Sequence, residues 1–329
     1  MSLIENLKAS VRSSKPEIVF PEGNDPRILR AAIRLNEDGD IKPIVLGDKK
    51  ELETLAEKEG VKLGNLEILN PANYDEKDAM VKSFVERRKG KVSEEDAEEI
   101  LKDHNYFGTM LIYMGKAKGL VSGAAHTTAD TVRPALQIIK TKEGYKRCSG
   151  AFIMLRDEEM YLMADCAINI DLDKDGLAEV ALVSNETARQ FGMDPKIAML
   201  SFSTKGSASH ERVTMVAEAT EIAKEKNPEM AIDGELQFDA AFVESVANKK
   251  APGSEVAGHA NVFVFPNIEA GNIGYKIAQR FGGFEAIGPI LQGLNAPVND
   301  LSRGCSEDEV YSLARIKKLE EGKIEFEEN

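Results

Sequence analysis

Much that would fix a function at a glance is missing from this chain of 329 residues. Its opening, Met1-Ser2-Leu3-Ile4-Glu5-Asn6, has neither the basic start nor the apolar core of an export signal. No apolar run approaches the ~20 residues of a membrane span. Cysteine is scarce. Cys148, Cys166 and Cys305 are odd in number, with no Cys-x-x-Cys, which suits reduced thiols in a cytoplasmic protein better than a disulfide framework. His104, His126, His210 and His259 are far apart and lack metal-ligand spacing, so no metal site is expected. There is no Gly-x-Gly-x-x-Gly and no complete phosphate loop, which weakens dinucleotide and nucleoside triphosphate readings. Positive charge is in deficit: 42 Lys and Arg face 56 Asp and Glu, for a net charge of -14. Nucleic acid and anionic membranes are therefore poor partners. An anionic ligand would have to meet a local basic cluster.

What is present describes a soluble globular protein, 42% hydrophobic and 30% charged, with enough length for one large domain or two ordinary ones. Short apolar runs alternate with amphipathic segments. Strands are predicted over residues 18–20, 44–47, 66–69 and 119–123. Helices are predicted over 26–35, 51–59, 75–88 and 93–103, the first with Asp25 as cap and Pro26 as its first residue. That alternation indicates α/β architecture with a largely parallel sheet. Around residues 140–150 the rhythm stops. A hairpin follows, 151–155 with 160–167, so a domain boundary is placed near residue 142. Alternation then resumes with helices 177–191 and 211–226 and strands 197–202 and 262–265. The acidic end, residues 320–329, reads as a solvated tail.

The densest chemistry lies in Pro297-Val298-Asn299-Asp300-Leu301-Ser302-Arg303-Gly304-Cys305-Ser306-Glu307-Asp308-Glu309. Pro297, Asn299 and Asp300 are turn formers, so a loop is predicted. Ser306 and Glu309 have capping-box spacing. Arg303 can grip a phosphate as a fork, and Gly304 admits a close backbone. Thr127 to Pro134 follows a Gly123-Ala124-Ala125 loop. Hydroxyls and unpaired amides at a helix start would make an anion site there. Arg133 is expected on the first turn, where a cation opposes the helix dipole and so hints at a ligand. Ser201 to Ser207 ends a strand with hydroxyls, where α/β proteins bind ligands. Asp233-Gly234-Glu235 is read as a mutually satisfied polar group, or less favourably as a magnesium site. Gly271 to Lys276 is read either as a helix start near an anion or as tight glycine packing.

These runs together, in order and across nearly the whole chain, closely resemble phosphate acetyltransferase, also called phosphotransacetylase. The resemblance implies two α/β domains with largely parallel sheets flanked by helices and an active-site cleft between them. Residues 1–142 plus 296–329 would form the first domain, and residues 143–295 an inserted second one. It implies reversible acetyl transfer between acetyl phosphate and coenzyme A, no required metal or cofactor beyond coenzyme A as substrate, and a homodimer. Arg133 with Arg88 or Arg87 would hold coenzyme A phosphates. Thr128, Thr131, Ser203, Thr204 and Arg303 are the candidate acetyl phosphate contacts. Ser302 would position the thiol or stabilise the carbonyl oxygen, and Glu309 is the candidate base, with Asp308 the alternative. The family carries aspartate at the Glu309 position. Longer acyl transfer such as butyryl, a decarboxylating dehydrogenase and a non-catalytic phosphate-binding module are the other readings.

Overall fold

A computed structural model of the chain describes residues 15–316. The opening residues and the acidic tail over 320–329 lie outside them. The chain forms two compact units. Among the described residues, one holds 15–142 and 294–316 and the other holds 143–293. In chain order the strands are β1 (Glu17–Phe20), β2 (Lys42–Leu46), β3 (Glu67–Leu69), β4 (Gly119–Ser122), β5 (Ser149–Arg156), β6 (Glu159–Ala164), β7 (Ile197–Leu200), β8 (Ile232–Leu236), β9 (Val262–Val264), β10 (Glu285–Gln292) and β11 (Val298–Asp300).

In the first unit the order is β3-β2-β1-β4-β11, and every pairing is parallel. A parallel sheet needs cover on both faces, which is why its strands are continuous apolar runs. Val19 sits beside Ile44 on one side and Leu120 on the other, all buried. The helix Pro26–Asp38 begins where Asp25 accepts from the Arg27 amide and Pro26 presets the backbone. It ends at Gly39, whose φ of 70° is left-handed. Its buried face carries Ile28, Leu29, Ile33 and Leu35, each contributing about 1.5–3 kcal/mol of burial. The helix His104–Tyr113 lies directly on the sheet: a Cβ at Gly108 would come 2.8 Å from Leu120 and 3.0 Å from Val19.

The second unit has the order β10-β5-β6-β9-β7-β8. β5 and β6 form the expected antiparallel hairpin, β10 joins antiparallel, and the rest pair in parallel. Phe152 stacks on Tyr275 at 3.9 Å in its core. Gly271 lies inside the helix Ile268–Arg280, where a Cβ would meet the Asp165 carbonyl oxygen at 2.2 Å. That is the close-packing reading of this glycine.

One sequence reading is overturned here. The run from Pro297 to Asp300 is not a loop. Residues 298–300 form β11, with Val298 opposite Leu120 and Asp300 opposite Ser122, all buried. Turn propensity lost to a vacant parallel edge beside β4, which satisfies the backbone groups of Asn299 and Asp300.

Candidate active site

Three segments of the first unit meet at the carboxyl end of its sheet. Arg27 ties them together. Its Nη1 donates to the carbonyls of Arg303 at 2.8 Å and Cys305 at 2.9 Å, and its Nη2 donates to the Ala124 carbonyl at 2.8 Å. Asp25 holds the guanidinium from behind, with Nε and Nη2 both donating to its carboxylate. That hydrogen bond, ahead of other causes, raises the Arg27 pKa, so it stays a cation. The backbone of the 303–305 loop is thus fixed, while Ser302, Arg303 and Gly304 remain exposed.

Glu22 clamps the second segment. Its buried carboxylate accepts the amides of Gly123 and Ala124, each at 2.9 Å, and of Ala125 and His126, each at 2.8 Å. The Thr127 amide goes to Asp130, in a capping box. The amides of residues 123–127 are therefore filled from inside by carboxylates. Arg133 also departs from expectation. The helix Thr128–Pro134 puts it in the last turn, and a π-helical stretch, Ala135–Ile139, follows directly. The dipole argument for Arg133 falls away, though its side chain is exposed.

A basic cluster lies farther along the same unit. Burial, then the neighbouring charges of Arg87, Lys89, Arg88 and Lys91, push the Lys140 pKa down. Arg88 and Arg133 both bear on Tyr106, whose pKa burial raises. The two candidate arginines differ sharply. Arg87 is spent on structure: it donates to the carbonyls of Ile138 at 2.6 Å and Ile139 at 3.1 Å, and lies over the Tyr113 ring. Arg88 has a buried Nε with no hydrogen-bond partner.

The capping box at Ser306 and Glu309 is realised in both directions. The Ser306 amide donates to Glu309 Oε2 at 2.7 Å, and the Glu309 amide donates to Ser306 Oγ at 3.2 Å. Asp308 turns elsewhere, its side chain 82% exposed and paired with Arg34 at 2.7 Å. Cys305 is buried, and that burial pushes its thiol up to about 11. It is therefore a thiol and not a thiolate at neutral pH.

Asp300 and Glu22 escaped the sequence reading as site residues. Thr128 Oγ1 donates to Asp300 Oδ2 at 2.6 Å. Burial, reinforced by Glu22 and opposed by the Thr128 and Thr131 hydroxyls, raises the Asp300 carboxyl to about 6. Thr131 is buried on the same helix. The available signal was Asp300 itself, an acid two residues before Ser302.

In the second unit, Ser203 and Thr204 are buried. Ser203 donates to Glu235 at 2.9 Å, and the Thr204 hydroxyl accepts from the Gln237 amide at 2.9 Å. Glu235 also accepts from the Gly206 amide, while Lys205 and Ser254 satisfy Asp233. Neither candidate hydroxyl faces solvent. Their neighbours Ser201 and Phe202 instead line an open cleft of about 430 Å³ at the ends of β7 and β9, together with Arg212, Met215 and Asn267. Among the described residues no group of His, Cys, Asp and Glu has the arrangement to hold a metal ion.

An arginine-pinned serine–arginine loop at the carboxyl end of a parallel α/β sheet lies where such folds bind ligands, and its guanidinium suits an anionic one. Comparison with known proteins supplies the family. The chain belongs to the phosphate acetyl/butaryl transferase family, whose model matches residues 2–317. It is an acyltransferase. It is 60% identical over 314 residues to a phosphate acetyltransferase of Bacillus subtilis, covering 95% of this chain and 97% of that one. A phosphotransacetylase structure from Staphylococcus aureus matches with a TM-score of 0.91 at 57% identity, covering 97% and 98% of the two chains. One from Streptococcus pyogenes gives 0.92 at 57% identity, covering 97% of each.

Proposed function

We propose that this acyltransferase passes the acetyl group directly, without an acyl-enzyme. The activity is phosphate acetyltransfer: acetyl-CoA and phosphate exchange with coenzyme A and acetyl phosphate. Identity of 60% across nearly the full length of a phosphate acetyltransferase carries that reading.

In the direction of thioester formation, the coenzyme A sulfur bonds to the acetyl carbon and the carbon–oxygen bond to phosphate breaks. The thiol proton passes to Glu309 and then to the departing phosphate. A thiol at ~8.5 and a glutamate at ~4.3 make the first transfer uphill by roughly 6 kcal/mol. Burial of the carboxyl and a guanidinium near the thiol narrow this gap, while Arg303 holds the phosphoryl group as charge builds on it and Ser302 steadies the thiol or the carbonyl oxygen. The exposed Ser302–Gly304 tip on its Arg27-pinned backbone supports these roles. Glu309 is preferred over Asp308 because its carboxylate folds back to the loop, while Asp308 is turned to Arg34. One Glu309 oxygen caps the helix, and a carboxylate has a second. Arg88 and Arg133 hold coenzyme A phosphates, with Arg88 preferred since Arg87 is committed. Thr128, with Thr131 behind it, meets acetyl phosphate. Ser203 and Thr204 act by bracing the loop that carries Ser201.

No metal takes part in this scheme. The protein is cytoplasmic and serves acetate metabolism. It works as a homodimer. Ile273, Ile277 and Phe281 form an exposed apolar stripe of helical spacing, 57%, 51% and 91% exposed, which suits a second copy. The deciding assay is thioester formation from acetyl phosphate and coenzyme A beside butyryl phosphate. Faster turnover of butyryl phosphate would move the substrate to longer acyl groups. No thioester from either would sink the reading.

A further inference from the structure

Two buried carboxylates of the sheet-end loops are saturated by backbone amides, and Asp300 is not. Glu22 is filled by four backbone amides. Asp165 accepts the amides of Gly150, Ala167, Ile168 and Asn169. Each acid is saturated by the loop it clamps, as a structural carboxylate should be. Asp300 is 1% exposed, yet its Oδ1 forms no hydrogen bond, and the nearby Thr131 hydroxyl is likewise unpaired. Its Oδ2 accepts from the hydroxyl of Thr128, a residue that is itself exposed. The loop packs closely against it: a Cβ at Gly123 would lie 2.4 Å from Asp300 Oδ1.

We propose that Asp300 is a positioning residue that decides whether the Thr128 hydroxyl donates to, or only accepts from, a bound phosphoryl group. The proposal rests on the reading of Thr128 as an acetyl phosphate contact. A hydroxyl has one proton. While Asp300 is ionised, Thr128 spends that proton on Oδ2 and offers lone pairs outward, which repel an anion. Once Asp300 is protonated, the bond reverses. Asp300 donates to Thr128 Oγ1, and Thr128 can donate to a phosphoryl oxygen. The residue thereby turns a buried charge into an outward donor without moving a heavy atom.

Burial and Glu22 favour the protonated form, and the Thr128 and Thr131 hydroxyls with the Leu301 amide oppose them. Glu22 approaches from the loop after β1 and repels a second negative charge. It is already bonded to the amides and paired with His126 at 3.1 Å. The helix Thr128–Pro134 brings Asp130, tied to Thr127, and the exposed Arg133. β4, alongside β11, carries no charged side chain. With the carboxyl raised to about 6, the reversal falls around that pH. Acetyl phosphate should bind better below that pH, and its binding above that pH should take up a proton.

The test is the KM for acetyl phosphate against pH, with the KM for coenzyme A as internal reference. In the unsubstituted enzyme the acetyl phosphate KM should rise about tenfold as pH climbs through the range around 6, the low end of what one hydrogen bond to a charged group is worth. Asp300→Asn supplies an amide donor to Thr128 at every pH, so its KM should stay flat. Thr128→Val should raise the KM at low pH to the high-pH value, while Thr128→Ser keeps the wild-type profile. An Asp300→Asn enzyme with the wild-type slope would overturn the proposal. If that variant does not fold, Thr128→Val decides: an unchanged low-pH KM refutes it. Failure of the functional reading looks different, since the unsubstituted enzyme would then form no thioester at all.

Discussion

Arg27 makes the sharpest prediction because it touches the loop mainly through its backbone, with the Cys305 sulfur at 3.7 Å as its one side-chain contact there. Arg27→Ala removes three hydrogen bonds to the carbonyls of Ala124, Arg303 and Cys305. Bonds from a charged donor contribute about 1.5–3 kcal/mol each. Arg27 is 26% exposed and water can replace it in part, so the low end applies, about 4 kcal/mol for the three. Roughly half is expected as lost stability, a fall of about 4–8 °C for a unit of this size. The other half is expected as lost placement of Ser302 and Arg303, about 30-fold in kcat/KM. Arg27→Lys keeps the charge but cannot reach three carbonyls, and should recover only a fraction. Arg34→Ala is the control. Its exposed bridge to Asp308 is worth about 0–1 kcal/mol. The assay is thioester formation beside thermal unfolding monitored by circular dichroism. A folded Arg27→Ala enzyme with wild-type kcat/KM would refute the pinning argument.

Other substitutions separate the remaining roles. Arg303→Gln should cost about 2–5 kcal/mol in transition-state stabilisation while stability moves by about 0.5 kcal/mol, and near-normal kinetics would remove Arg303 from the site. Glu309→Gln should slow the chemical step by roughly 10²–10⁴-fold with little loss of stability, since glutamine also serves a capping box. A fast Glu309→Gln enzyme beside a crippled Asp308→Asn enzyme would transfer the base to Asp308. Cys305→Ala should keep most activity, and an acetyl group trapped on Cys305 would defeat direct transfer. Asp300→Asn should stabilise the protein above pH ~6, by up to about 3 kcal/mol. The sign follows from linkage: the folded carboxyl, raised from 3.8 to about 6, binds more protons than the unfolded one in that interval, so native stability falls as pH rises through it. Equal unfolding midpoints for the two proteins at pH ~8 would contradict this.

Local signals were enough for much of the fold. Asp25 and Pro26 set a helix start wherever that helix packs, and the apolar runs at 18–20 and 44–47 could only be covered strands. The 151–167 hairpin and the Ser306–Glu309 box were legible for the same reason: each is written within a few residues. The serine–arginine loop also stood out by composition.

Tertiary structure decided the rest, because the deciding partners lie far away in sequence. Val298-Asn299-Asp300 has the composition of a turn, and only the edge of β4, almost 180 residues earlier, makes it a strand. Ile232–Leu236 interleaves Asp233 and Glu235 with apolar residues, and it becomes a strand because Lys205, Ser254 and Ser203 satisfy those acids. The loop between Gly123 and the helix at Thr128 looked open to an anion until Glu22 took its amides from about a hundred residues away. Arg87 and Arg88 are neighbours of identical chemistry. Which is spent on the carbonyls of Ile138 and Ile139 depends on the side of the helix each leaves, and on what the fold has brought there. Sequence names the groups able to do chemistry. Burial and long-range hydrogen bonding determine which of them remain available for it.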